Sequence, residues 1–197
     1  MGYAQLIKDR TDGREAVLAD YAGKILHETE RVSTIVRHLL AFARQGDDGL
    51  EEVDVRTLLD STLDLVGASA RAKGRHVVRA YAETAPVEAA LRLARSRGWR
   101  IQQVVLNLVL NALDATAEGG TVTVAARPEG DGVEVSVEDD GGGIAPEDLG
   151  RLFEPFFTTK GVGKGTGLGL HLSHRIVESI RGRIDVESAP GKGALFR

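Results

Sequence analysis

Three groups of residues have the types and spacing to handle a phosphorylated ligand and its metal. Asn107 and Asn111 stand four apart in the aliphatic run Gln103-Val-Val-Leu-Asn-Leu-Val-Leu-Asn-Ala-Leu-Asp-Ala115, so they share one helical face. An amide among aliphatic side chains is costly unless it finds partners. Its oxygen is also a suitable hard ligand for magnesium, which prefers oxygen and keeps several waters. Asp139 closes the strand-like segment Val135-Ser-Val-Glu-Asp139 and is followed by Asp140 and three glycines. A carboxylate there can accept a hydrogen bond from an adenine amino group, and glycines let a flat ring approach closely. Gly165-Thr-Gly-Leu-Gly169 runs straight into a helical pattern, whose free N–H groups and positive dipole end favour an anion. Each group has a plainer reading too: helix-surface amides, a turn with solvated acids, and a flexible linker before a surface helix.

The common phosphate loops do not fit. A Walker loop requires GxxxxGK followed by Ser or Thr, but Gly163-Lys164 is followed by Gly165, and Thr158 stands at the first glycine position. A dinucleotide fingerprint requires GxGxxG, and Leu170 occupies the third glycine position after Gly165 and Gly167. The protein-kinase glycine loop fails at the same place, with no HRD or DFG element elsewhere.

The elements that must hold these groups follow from periodicity. Residues 15–45 carry Leu18, Ile25, Val32 and Leu39 at intervals of seven, with Tyr21, Ile35 and Phe42 as companions interrupted by Glu28. This is a heptad seam whose length favours a partner helix over an ordinary amphipathic helix on a globular core. Thr11-Asp12-Gly13 breaks it from an earlier, short helical arm. Gln45-Gly-Asp-Asp-Gly49 is a polar linker and the expected boundary between a helical hairpin, residues 1–46, and an α/β unit, residues 50–197. In the second unit we expect a strand at 52–55, a helix at 56–73, strands at 75–81 and 86–91, and a helix at 98–117 with Ser96 as N-cap. A hairpin is expected at 121–126 and 132–138, turning at Pro128-Glu-Gly-Asp131. Residues 141–166 are glycine-rich and too long for a plain connection. A helix at 168–181, a strand at 183–188 and a last apolar segment complete the pattern.

Composition narrows the function classes. The 197 residues are 42% hydrophobic and 27% charged, enough to bury a core, and aromatics at 5% leave aliphatic side chains to fill it. A net charge of -4 argues against a general nucleic-acid binder, and the run Arg92, Arg95, Arg97, Arg100 is too short to reverse that balance. The absence of cysteine removes disulfides and thiolate metal sites, and the five histidines show no HExxH pairing. Neither a signal peptide nor a membrane segment is expected, so the chain reads as cytoplasmic, with any membrane anchor of the full-length protein lying outside it.

The four segments Asn107-Leu-Val-Leu-Asn-Ala, Asp139-Asp-Gly-Gly-Gly-Ile144, Leu152-Phe-Glu-Pro-Phe-Phe-Thr-Thr-Lys160 and Gly165-Thr-Gly-Leu-Gly-Leu170 resemble, in order and separation, the boxes of sensor histidine kinases. The resemblance implies an α+β fold: a two-layer α/β sandwich, with a mixed sheet carrying helices on one face and a mobile lid over ATP, preceded by a helical hairpin. It implies that Asp139 holds the adenine amino group, with Gly141 and Gly143 beside the base. Asn111 would bind Mg2+, and Asn107 would help hold metal and phosphates. Phe153, Phe156 and Phe157 would seat the lid, and Lys160 would reach the terminal phosphate. Gly165, Gly167 and Gly169 would let the lid close. Ile144, Thr159, Lys164, Thr166 and Leu168 lie in the matching boxes and join the expected ATP-binding set.

The family's acceptor motif, His-acidic-x-x-Asn-Pro, is absent. His27-Glu28 is followed by Thr29, Glu30, Arg31 and Val32, and His38, His76, His171 and His174 have no better context. Gly193-Ala-Leu-Phe196 resembles the start of the family's last strand, with Ala194 in place of a hydroxyl residue, and Arg97 and Gly98-Trp99 stand where an acidic cap is usual. The expectation is therefore an excised ATP-dependent kinase region whose acceptor histidine lies elsewhere. A response-regulator receiver domain would be its partner, and the hairpin would form a homodimer. Two alternatives stand beside it: an ATP-hydrolysing relative of gyrase or MutL, and a non-catalytic nucleotide-binding module. The gyrase-like enzymes place a glutamate base where this chain has Asn107, whose neutral amide cannot accept a proton.

Overall fold

The computed structural model describes residues 51–81, 94–96, 98–130, 132–161 and 165–197, with Ala22, Gly23, Ile25 and Thr29 earlier in the chain. The chain divides into two compact units, Met1–Asp47 and Asp48–Arg197. In the first, the four described residues are helical, and Thr29 Oγ1 donates to the Ile25 carbonyl at 2.7 Å. The rest of the heptad seam, with His27 and His38, lies outside the described residues.

The second unit is built on a hairpin and three long helices. Helix α1, Val55–Ala72, starts at Asp54, whose side chain accepts from the Thr57 N–H at 3.1 Å, satisfying an N-terminal donor. Val55, Leu59, Leu63, Val66 and Ala70 form its buried stripe. Helix α2, Gly98–Ala115, buries Val104, Val105, Leu108, Val109, Ala112 and Leu113. This aliphatic face leaves Asn107 and Asn111 on the neighbouring strip. Strands β4, Thr121–Glu129, and β5, Gly132–Asp139, pair antiparallel from Val122 opposite Asp139 to Glu129 opposite Gly132. Side chains alternate across a strand, and Val122, Val124 and Ala126 accordingly enter the core together.

Strand β2, His76–Arg79, joins β4 in parallel, and β7, Ala194–Phe196, pairs with both β5 and β6, Val186–Ser188. The resulting order, β2-β4-β5-β7-β6, is a mixed five-stranded sheet. Helix α2 packs on β4 and β5, with α1 and α4, Gly169–Ser179, against it, making a single helical layer. The two-layer α+β architecture is thus as expected, and the core runs from Leu59 and Val109 through Val122, Val124 and Val137 to Phe196.

Several local expectations change. Ser96 is not a helix cap: it ends β3, Ala94–Ser96, opposite Glu51 of β1, Glu51–Val53. Backbone pairing with β1 holds Ser96 extended, and α2 starts two residues later. Of this small antiparallel sheet β1 was expected, as a strand at 52–55, whereas β3 had no periodic signal, because a three-residue strand is shorter than any alternation. The expected strand at 86–91 lies outside the described residues, as does Arg97. The hairpin strands run through Pro128 and Glu129, so the turn is tighter than expected. Residues 141–166 contain a short helix, α3, Pro146–Leu149, with proline in its first turn.

Leu59 is completely buried between the layers. Leu59→Ala should lower unfolding free energy by about 2–5 kcal/mol, measured by urea denaturation. A loss below ~1 kcal/mol would mean this site relaxes around the cavity.

Candidate functional site

Asp139 is the last residue of β5 and only 6% exposed. Its Oδ1 accepts the Gly141 N–H at 2.9 Å, and the Ala194 N–H of β7 is a second backbone donor. Burial raises the pKa of its carboxyl, the two N–H groups oppose that shift, and Asp140 and Glu138 add smaller upward pushes. Asp140 braces the sheet instead. Its Oδ2 accepts the Thr121 N–H at 2.9 Å, tying the strand end to β4. Consecutive acids therefore separate into one buried acceptor and one exposed brace.

The glycines after them let the chain run flat over two backbones. A Cβ on Gly141 would lie 2.5 Å from the Ala115 carbonyl oxygen at the end of α2. Gly143, at φ +69, would place one 2.0 Å from the Ala189 oxygen, so neither position admits a side chain. Backbone bonds from Gly191 to Gly142 at 2.8 Å and from Gly193 to Gly141 at 3.0 Å lock this loop to the β6–β7 turn. Ser188 is part of the lock, accepting the Ile144 N–H at 2.9 Å and donating to the Gly193 carbonyl at 2.6 Å. Sequence reading missed Ser188, since nothing in the residues around it marks a partner 44 positions away.

On α2 the two asparagines have different surroundings. Asn107 donates from Nδ2 to Ser173 Oγ of α4 at 2.9 Å. The first residue of α4, Gly169, sits so near that a Cβ would lie 2.3 Å from Asn107 Oδ1. Asn111 is half-buried, with its amide unbonded by any other side chain among the described residues. Asp114, one turn further along the same face, holds Lys160 Nζ at 2.7 Å. That pair joins the end of the Leu152–Lys160 box to the helix of the asparagines. Asp114 was part of the quoted run but carried no role.

The Leu152–Lys160 segment is anchored by α4. His171 Nδ1 lies 2.9 Å from the Phe153 carbonyl oxygen, and the His174 ring centroid is 4.9 Å from that of Phe153. Phe153 and Phe157 pack against the core, and Arg151 stands 4.4 Å over the Phe157 ring. Phe156 departs from the expected seating role: it is 73% exposed. Its backbone is left-handed at φ 67, and its N–H donates to the Gly167 carbonyl at 2.9 Å. The aromatic cluster is thus two rings, while Phe156 serves through its backbone. Thr159 is exposed beside Lys160, whose N–H donates to Thr158 Oγ1 at 3.2 Å. Thr166 Oγ1 accepts the Leu168 N–H at 3.4 Å just before α4, near Gly165. Lys164 lies outside the described residues.

One end of the sheet therefore brings together Asp139, Gly141, Gly143 and Ile144. The face of α2 against α4 brings together Asn107, Gly169 and Ser173, with Asn111, Asp114 and Lys160 beyond. No cluster of three His, Cys, Asp or Glu able to hold a metal occurs among the described residues. Two neutral amide oxygens fit an ion such as magnesium that takes its remaining oxygens from phosphates and water. Among the described residues, no helix is long and apolar enough to cross a membrane.

Residues 97–197 match the family described as histidine kinase-, DNA gyrase B-, and HSP90-like ATPase. The sensor histidine kinase ZraS of Klebsiella oxytoca is 40% identical over 99% of this chain, which spans 40% of that relative's length. The structure of full-length ShkA in complex with AMPPNP aligns at TM-score 0.69 and 30% identity, covering 98% of this chain and 40% of that one. Histidine kinase ThkA, solved in complex with the response regulator TrrA, aligns at TM-score 0.72 and 27% identity, covering 99% of this chain and 54% of its own. With the buried carboxylate at the strand end, the paired asparagines and the glycine-opened helix in one unit, the chain belongs to the histidine kinase-, DNA gyrase B- and HSP90-like ATPases, and the relatives it matches are sensor histidine kinases.

Proposed function

We propose that this chain is the catalytic region of a two-component sensor kinase. It binds Mg-ATP and transfers the terminal phosphoryl group to a histidine outside these 197 residues. The observation that carries the reading is the amide of Asn107, hydrogen-bonded to Ser173 beside the first turn of α4. A neutral amide there can ligate or donate but cannot take a proton from water, which favours transfer to a supplied nucleophile over hydrolysis.

In this reading Asp139 accepts the adenine amino hydrogen, with Ile144 and the glycine floor beside the base. Asn111 and Asn107 present oxygens to magnesium, which when bound neutralises charge on the phosphates. The N-terminal N–H groups of α4, Thr166 and Lys160 face the triphosphate. Catalysis is then mainly positioning and charge stabilisation. An imidazole nitrogen forms a bond to the terminal phosphorus as its bond to the bridging oxygen of ADP breaks. ADP leaves with the electron pair, and the imidazole proton passes to solvent. Lys160 must first leave Asp114, so phosphate and carboxylate compete for one ammonium. ThkA's complex with a response regulator and the heptad seam of residues 15–45 support a receiver domain as the next acceptor and a homodimeric hairpin. A site that consumes ATP faces the cytoplasm.

Incubating the chain with γ-labelled ATP, magnesium and a separately supplied acceptor hairpin tests the reading. Label on the hairpin histidine is expected, and steady phosphate release without acceptor would replace transfer by hydrolysis. Asp139→Asn should weaken nucleotide binding by roughly 10- to 150-fold, the value of a charged hydrogen bond of about 1.5–3 kcal/mol. Calorimetric affinity equal to wild type would remove the adenine assignment. The same variant carries a pH signature. The folded state holds the Asp139 proton more tightly than the unfolded chain, so wild-type stability falls as pH rises from the ordinary value of 3.8 towards the raised one. The Asn variant should lack that component in denaturation curves measured upward from pH 3.8. Lys160→Met should slow transfer by about 10²–10³-fold with a smaller change in ATP affinity, read by single-turnover labelling.

A further inference from the structure

Hydroxyl groups inside helices usually bond back to their own helix, and most here do. Ser61 and Thr62 donate to the Leu58 carbonyl, Thr116 to Ala112 and Ser179 to Ile176, at 2.6–2.9 Å. Ser173 is different: it is 2% exposed, and its oxygen accepts from Asn107 Nδ2 of a second helix at 2.9 Å. Ser179 also accepts from α2, from Arg100 Nη1 at 2.9 Å, but that contact is exposed and its hydroxyl bonds back to Ile176. Ser173 and Gly169 are four residues apart on α4 and so lie on one face. The Asn107 amide spans that turn with its nitrogen at Ser173 and its oxygen towards Gly169. A Cβ built on Gly169 would be 2.3 Å from Oδ1 but 3.1 Å from Nδ2.

The two ends of an amide are opposite in chemistry. The oxygen can ligate a cation, whereas the NH2 group can only donate. Turned round, the amide would set its donors against the N-terminal N–H groups of α4, a like-signed contact. Resting on the nucleotide reading above, we propose that Ser173 is a positioning residue for magnesium-nucleotide binding. Its buried hydroxyl fixes the Asn107 amide so that the oxygen, not the nitrogen, faces the first turn of α4. Ser173 itself touches neither phosphate nor metal. Partners of ligands that act this way typically change metal affinity by about 10–100-fold when removed.

The test titrates magnesium into the full chain with AMPPNP and follows nucleotide binding, for wild type and Ser173→Ala. Alanine is smaller and a better helix former, and thermal unfolding checks that the variant is folded. About tenfold more magnesium should be needed for half-maximal binding, while affinity measured in chelator changes less than about twofold. In an Asn107→Ala background the Ser173→Ala shift should vanish, because both act through one amide. A lowered melting temperature with an unmoved magnesium midpoint would make Ser173 a packing residue only and overturn the inference. So would an equal shift in the Asn107→Ala background. Wild-type chain that binds no AMPPNP with or without magnesium would instead overturn the nucleotide reading, and the positioning role with it.

Discussion

Burying the Asp139 carboxylate at the last register of β5 costs desolvation, and two backbone N–H groups offset it, one from Gly141 and one from Ala194. That requirement shapes the surrounding chain. The strand must end there so that its next turn can fold back onto the carboxylate. The turn must be glycine because it lies on the Ala115 and Ala189 carbonyls. Strand β7 must sit beside β5 in the register that brings Ala194 opposite Asp139. The backbone supplies the donors, so an alanine at 194 does this as well as a hydroxyl residue would.

A second constraint is the close approach of α4 to α2. An amide inside an aliphatic interface needs partners, and Asn107 finds Ser173 within the helix pair. The absence of a side chain at Gly169 lets the helix start almost on the amide oxygen. One contact thus seats α4 in the core through Ile176 and Ser173 and aims its N-terminus past the asparagines. The loop ahead of it is held from the other side, where Gly167 meets the backbone of Phe156 and His171 meets Phe153.

Sequence made the long, periodic elements legible: α1, α2, the β4–β5 hairpin and α4 follow their apolar patterns. It also exposed Asp139, Asn107, Asn111 and the glycines, because a polar or glycine residue in an apolar run violates the local rule and so draws notice. What it could not reveal was the set of residues that satisfy them. Ser173, Ser188 and Asp114 are ordinary in type and position, and become significant only through partners 66, 44 and 46 residues away. Strand β1 was expected at 52–55, but its three-residue partner β3 was hidden for the related reason that backbone pairing leaves no side-chain period. The family resemblance implied a seating role for the Phe156 ring, whereas here the ring is exposed and the left-handed backbone makes the contact.

The placement of β7 bears on how the unit is made. Residues 194–196 come after every other strand in this sequence yet lie between β5 and β6. Chains emerge from the ribosome N-terminal end first. The β4–β5 hairpin, α2 and even α4 can therefore be synthesised while the strand that completes the sheet is still inside the exit tunnel. Until it emerges, Asp139 lacks one of its two donors and the apolar flank of β5 at Val137 has no Phe196 opposite it. The Asp139 carboxylate of a nascent chain thus waits for its second donor until translation has moved well beyond it.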